Sequence, residues 1–471
     1  MSSTNFKGPG SAPAMQSGEN AAGPTSEQQL VYRVYKIRYL GLAQLVLLNI
    51  IISWDWLTFS ATSTTTAEYF DVSESDVNWL STAALFAFVA ATPIVMYTLH
   101  HNVKTVMIIA SALVLVGNWI RFAGAKAQDG IFGLLMFGQL LIGFAQPFVL
   151  TAPTRYSDLW FTDRGRTSAT ALATLANPLG AALGQLIDSF WAPRPEDVPD
   201  MVMWLAVIAT VAAAPSLFIP ARPPTPASAS ADVPKTPLIA SIKTVTRMPQ
   251  FWIIFFSFSV YVGFFNSVST LINQIMFPYG FSETDAGIAG GVLIVVGLVA
   301  AAVMSPINDR FKIYLGMIRT CVPIHAAAHV AFIFAPAGIA PSIVVCALLG
   351  ASAFSLLPVI LELLVEITYP ASPEVGSTLC WMGGQLLGGI FTIVQTALKA
   401  GPDADPPQNM RRSLIFSAVI AAVAAVPPLT LNVLGPRLVN RRLEADRRLG
   451  LSTANSQQDQ LDRGKCMQVA S

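Results

Sequence analysis

The chain has 471 residues, of which 53% are hydrophobic and only 12% charged. So few charges cannot cover a water-soluble globule of this length, which makes a lipid bilayer the natural solvent. The formal net charge of +1 gives no electrostatic basis for binding nucleic acid, and no such partner is expected.

Residues 1–38 begin with a stretch rich in Ser, Gly, Ala and Pro and are predicted to form a disordered cytoplasmic tail rather than a signal peptide. A helix needs about 20 apolar residues to cross roughly 30 Å of hydrocarbon. Such runs are predicted at 39–61, 77–98, 105–124, 130–152, 167–191 and 201–219, a first six-helix bundle over 39–219. A second set at 251–276, 286–305, 317–335, 340–367, 374–398 and 413–434 makes a bundle over 251–435. Between them, 220–250 contains PARPPTPASASADVPKTP and reads as a flexible cytoplasmic linker. The tail, 436–471, carries Arg437, Arg441, Arg442, Arg447 and Arg448, spaced either as an ordinary stop signal or as a short basic helix against anionic headgroups.

The halves echo each other, as a duplication would. The second helix of each begins after an acid, Asp76 or Asp285, and ends near a basic turn, Lys104 or Lys312. In the fifth helix of each, Gly180-Ala-Ala-Leu-Gly184 answers Gly384-Gln-Leu-Leu-Gly388, a small-xxx-small face where backbones approach closely. These four glycines are expected at interfaces that slide during gating. With the N-terminus inside, about 22 of the 28 Lys and Arg residues fall on the cytoplasmic side and about 6 outside, which places both termini in the cytoplasm. Cys321, Cys346, Cys380 and Cys466 show no metal-binding or disulfide spacing and read as packing residues; no metal or cofactor is expected.

Ionisable groups inside spans are functional candidates by default: Asp55, Arg121, Asp188, His325, His329, Glu362 and Glu366. Arg121 and Asp188 sit near helix ends, where snorkelling explains them. Asp55, in Ser53-Trp54-Asp55-Trp56, has no basic neighbour in the sequence, so an unpaired carboxylate there marks a coupling or cation site, or else the tryptophans form an interfacial belt. His325 and His329, one turn apart, read as a neutral hydrogen-bonded pair. The amides Gln139, Gln146, Asn177, Asn266, Asn273, Gln274, Gln385 and Gln395 divide between interhelical bonding and solute contact.

Several segments, including Asn78-Trp-Leu-Ser81, Ala145-Gln146, Ala176-Asn-Pro-Leu-Gly180, Ser267-Val-Ser-Thr-Leu-Ile-Asn-Gln274 and Val365-Glu-Ile-Thr-Tyr-Pro370, resemble the major facilitator superfamily. Within it they resemble the branch related to FLVCR, named after the receptor for feline leukaemia virus subgroup C. The resemblance covers about residues 35–435. It implies an all-α membrane fold of 12 helices in two pseudo-symmetric six-helix bundles, and a monomeric facilitator working by alternating access. Relatives are associated with choline, ethanolamine or haem. Their first-helix tryptophan matches Trp56 and their glutamines match Gln146 and Gln385; Asn266, after Phe265, stands where choline-type members carry tyrosine. The implied solute site is therefore Trp56, Gln146, Phe265, Asn266 and Gln385, at the bilayer midplane. The change at Asn266 leaves room for a smaller or more polar cation. The superfamily's basic loop is nearest to pattern at Asn308-Asp-Arg-Phe-Lys312, which makes Asp309 and Arg310 gating candidates.

The expected function is secondary transport of a small organic solute, a choline- or ethanolamine-like cation or haem by resemblance, in the plasma membrane or an endomembrane. The alternative is a receptor or sensor on a transporter scaffold. No nucleophile–base pair or metal cluster lies in the spans, so no enzyme is expected.

Overall fold

A computed structural model describes residues 35–127, 130–161, 163–225, 237–311, 313–368 and 373–432. In hydrocarbon each backbone amide must find its partner within its own segment, which leaves helices as the solution for these apolar runs. The first half contains α1 (Arg38–Leu57), α2 (Ser63–Phe70), α3 (Glu74–His101), α4 (Val103–Lys126), α5 (Phe132–Leu150), α6 (Ala152–Trp160), α7 (Asp163–Trp191) and α8 (Val198–Ala213). After α9 (Leu238–Thr246) the second half contains α10 (Pro249–Met276), α11 (Glu283–Phe311), α12 (Tyr314–Phe332), α13 (Ile339–Thr368), α14 (Pro373–Ala397) and α15 (Arg411–Leu429). Among the described residues, twelve segments are long and apolar enough to cross a bilayer, matching the twelve expected runs. Exposed Ile94, Val211, Val299 and Val423 show that apolar side chains also face outward, as lipid contact requires.

The duplication is visible in atomic detail. Asp71 and Gly280 both take left-handed φ, 51° and 86°. Two residues later Ser73 and Ser282 cap α3 and α11, each hydroxyl accepting from the amide of Asp76 or Asp285 at 3.2 Å while that carboxylate accepts from the serine amide at 3.1 or 3.0 Å. This reciprocal capping box satisfies two otherwise orphaned donors. Packing repeats as well: α1 on α7 corresponds to α10 on α14, α3 on α5 to α11 on α13, and α4 on α8 to α12 on α15. The two halves meet through crossed equivalents, α7 on α11 and α3 on α14.

Three elements were not foreseen. The short helix α2 follows the first span, α6 continues α5 after a break at Thr151, and α9 lies inside the segment expected to be a flexible linker, packing on α10 and α14. Val245 of α9 is fully buried beside Phe251, so the end of the linker is anchored; its proline-rich stretch at 226–236 lies outside the described residues. The basic C-terminal residues from Arg437 onward and Cys466 also lie outside them.

The four glycines expected at gating interfaces pack against partners within their own halves. A Cβ at Gly180 would overlap the Ile50 carbonyl, and one at Gly184 would meet the Trp54 carbonyl at 3.2 Å, both on α1. At Gly384 it would meet Val262 at 2.6 Å and at Gly388 Asn266 at 2.7 Å, both on α10. These contacts lie inside one half or the other, where they hold α7 closely on α1 and α14 closely on α10. The small residues between halves are instead Gly287, Gly290 and Gly291, against Gln185 and Leu186 of α7, and Gly389, against Phe86 of α3.

Overpacking a backbone contact costs about 1–3 kcal/mol. Gly180→Val is therefore expected to lower the melting temperature of the purified protein, whereas Gly133→Val, where a Cβ meets nothing within 4 Å, leaves it unchanged. Thermal-shift measurement of both variants checks this; equal melting temperatures would contradict the α1–α7 contact.

Candidate functional site

Among the described residues, a group of hydrogen bonds between the halves gathers at one end. Glu283, at the start of α11, accepts from the amides of Thr64 (2.8 Å) and Thr65 (3.2 Å), from the Thr65 hydroxyl and from Asn273 Nδ2 (3.1 Å). Its carboxylate thus caps α2 of the opposite half, where first-turn amides point outward and attract negative charge. Beside it, Lys399, two residues past the end of α14, pairs with Glu74 of α3 at 2.8 Å, and Asn78 and Gln274 exchange bonds of 3.3 and 2.8 Å. Gln185 of α7 donates to the Ser269 carbonyl of α10 at 2.7 Å. This is the latched end of the molecule.

Beneath the latch, a cavity of about 780 Å³, its mouth included, runs between the halves toward the opposite end. Trp56, Gln146, Phe265, Asn266 and Gln385, drawn from α1, α5, α10 and α14, all line it. The ring centroids of Trp56 and Phe265 lie 6.5 Å apart, the planes tilted by 48°, and Phe265 meets Phe354 edge-on at 5.3 Å. Asn266 donates to Gln385 Oε1 at 2.9 Å, which fixes both amides. Tyr261 and Trp381 also line the cavity and were missed, although each precedes a recognised position, Phe265 or Gln385, by one helical turn on the same face.

The cavity's polar groups define what it can hold. Trp56 Nε1–H, Gln146 Oε1 and the Tyr261 hydroxyl are buried without a partner. Leaving such a group unpaired costs about 1–3 kcal/mol, so each favours a solute that supplies the missing partner. None of the described lining residues is charged. A cation would be stabilised by ring faces, by up to about 2 kcal/mol when desolvated.

The charged candidates lie elsewhere. Asp55 is fully buried and points away from the cavity into the first half, where Arg121 Nη1 lies 3.2 Å from its carboxylate and Asn118 donates at 2.6 Å. The expectation of an unpaired Asp55 is thereby corrected, since its partner comes from α4, 66 residues away; Trp56, the next residue, turns about 100° from it on the helix. Arg121 and Asp188 are not snorkelling either. Both are fully buried, Asp188 accepting from Trp54 Nε1 at 2.9 Å and Arg121 lying over the Phe59 ring at 4.9 Å. His325 and His329 form the expected bonded pair, to Ser352 Oγ at 2.9 Å and to the His325 carbonyl at 3.0 Å. The side chains of Asp309, Arg310, Glu362 and Glu366 lie outside the described residues. Of the amides, Gln146, Asn177, Asn266 and Gln385 line the cavity, Asn273 and Gln274 belong to the latch, and Gln139 and Gln395 bond within their halves.

Hydrogen bonds to a charged acceptor contribute about 1.5–3 kcal/mol and neutral ones about 0.5–1.5. Glu283→Gln should therefore move the equilibrium toward opening at the latched end by about tenfold. Labelling of Gln274→Cys by a thiol reagent reads this: it should speed up when Glu283→Gln is added, and an unchanged rate would remove Glu283 from the latch.

Comparison with known proteins places this architecture. The profile of the Major Facilitator Superfamily matches residues 45–393. Solute carrier family 49 member A3 of Danio rerio is 32% identical over 393 residues, 81% of this chain and 83% of the relative. The choline/ethanolamine transporter FLVCR1 of Felis catus is 28% identical over 381 residues, 77% of this chain and 68% of the relative. Among solved structures, a bacterial homologue of the lysosomal transporter Spinster, inward-facing and unoccupied, superposes with a TM-score of 0.61 at 16% identity, covering 84% of this chain and 97% of that one. The chain is thus a multi-pass membrane transporter of the major facilitator superfamily, in its FLVCR-related branch.

Proposed function

We propose that the chain carries a small organic solute of the amino-alcohol class, choline- or ethanolamine-like, through the central cavity by alternating access as a facilitator. The observation that carries this reading is the combination inside one cavity of neighbouring aromatic rings, no charge among the described lining residues, and three buried polar groups without partners. The rings of Trp56 and Phe265 suit an ammonium group. Gln146 Oε1 asks for a donor, and Trp56 Nε1–H for an acceptor; one hydroxyl meets both needs. The relatives' names, which cite choline and ethanolamine, support the same class.

Haem fits less well. Its carboxylates would find no cation among the described lining residues, and His325 and His329 are not among those residues. The bundles over 39–219 and 251–435 act as the two moving bodies, joined by the 220–250 segment. The Lys and Arg count sets the latched end outside and both termini in the cytoplasm. In that orientation the cavity faces inward, and rocking the rigid halves about the α3–α14 and α7–α11 contacts would break the latch and expose the same site to the other side.

If the solute is cationic, Trp56→Ala should weaken binding by about 1–2 kcal/mol, roughly tenfold in Kd, and Trp56→Phe should retain part of the affinity. Titration of the purified variants with choline and with ethanolamine, read by thermal shift and by uptake into proteoliposomes, is the test. An unchanged affinity in Trp56→Ala would remove the aromatic cage, and the absence of any effect of either compound on wild type would remove the substrate class.

A further inference from the structure

Two carboxylates and one guanidinium meet inside the first half, apart from the solute cavity. Asp55, Arg121 and Asp188 are each fully buried. Arg121 is ion-paired with Asp55 at 3.2 Å and lies within electrostatic reach of Asp188. Asp188 Oδ1 accepts from Trp54, while Asp188 Oδ2 is buried with no partner. Asn118 donates to Asp55, and Gln139 donates to the Asp55 carbonyl at 3.1 Å, so the polar groups around the cluster add dipoles and no charge.

Counting charge is decisive here. Two ionised aspartates and one arginine sum to −1, buried away from water, and an unbalanced buried charge is far less stable than a neutral cluster. The charged groups facing Asp188 are Asp55 from α1 and Arg121 from α4. From α11, Glu283 is committed to the amides of α2. After α7, Arg194 pairs with Glu196 and Asp197 at the surface, and Asp200 of α8 is exposed. The contact of α6 with α7, through Ser157 and Thr170, is at the far end of α7, five turns from Asp188. None of these supplies the missing positive charge.

We propose that Asp55, Arg121 and Asp188 form a proton-binding site that holds one proton, on Asp188 Oδ2, while the latched end is closed. Its placement links the proton to the transport cycle. Asp188 lies three residues from the end of α7, between Gln185, which bonds across to α10, and Ser189, which faces Gly287 of α11. Trp54, Asp55 and Trp56 are consecutive on α1 and touch Asp188, Arg121 and the solute cavity in turn. When the halves part at this end, water reaches Asp188, the O–H bond breaks, the proton passes to water, and the carboxylate left behind is hydrated. Acid at that face therefore favours the closed state and alkali the open one. This goes beyond a facilitator driven by its solute alone and does not depend on which solute is carried.

Infrared spectroscopy of the purified full-length protein tests the site without any solute. At neutral pH the wild type should show the carbonyl stretch of a protonated carboxylic acid. Charge counting requires that band to disappear in Asp188→Asn and equally in Asp55→Asn, since either change leaves one carboxylate with one arginine; Glu283→Gln should keep it. Should Asp188→Asn fail to fold, Asp55→Asn gives the same reading. A wild type without the band, as when a sodium ion supplies the charge, overturns the proposal, and so does a band that survives Asp55→Asn. In parallel, labelling of Gln274→Cys, normalised to Gly401→Cys, should rise several-fold from pH 5 to pH 8 and become flat when Asp188→Asn is added. A slope unchanged by Asp188→Asn would detach the proton from opening.

Discussion

Everything in this molecule follows from the close backbone contact of α1 with α7 and of α10 with α14. Gly180 and Gly184 bring α7 onto the carbonyls of α1, and Gly384 and Gly388 bring α14 onto α10. Lipid tails are as apolar as leucine, so helices gain little from hiding apolar surface from one another, and dense packing has to supply the cohesion. Two stiff bundles result. The cavity and the latch both lie on the seam between them.

Polar groups obey the same constraint. A lone polar side chain in hydrocarbon is costly, so those present are gathered into a few places where they satisfy one another or await a ligand. The latch, the cavity and the Asp55–Arg121–Asp188 cluster are three such places, and α1 touches the last two within three residues. Chain connectivity alone therefore joins the cavity to the charged cluster, with no separate relay between them.

The sequence made the spans legible because apolar run length is a direct physical requirement of the bilayer, and the acids Asp76 and Asp285 marked matching helix starts in the two halves. Trp56, Gln146, Phe265, Asn266 and Gln385 converge on one cavity, as the family resemblance implied. What could not be read was partnership across space. Asp55 looked unpaired because Arg121 comes from another helix, and the Gly180–Gly184 motif announces a close contact without saying whether its partner lies in the same half. The short helices α2 and α6 were hidden because they abut a span, and α9 because proline-rich sequence precedes it.

Glu74 and Glu283 open the second helix of their respective halves at equivalent positions, two residues before the aspartate of each capping box. The duplicated residue has been turned into two unlike fasteners. Glu74 holds Lys399 in a pair that is about one-fifth exposed on either side, a contact that dissolved ions screen. Glu283 holds backbone amides at a helix start, short-range bonds on which ionic strength acts weakly. Two equivalent positions thus supply one clasp that responds strongly to salt and one that responds weakly, so the two edges of the seam need not loosen together.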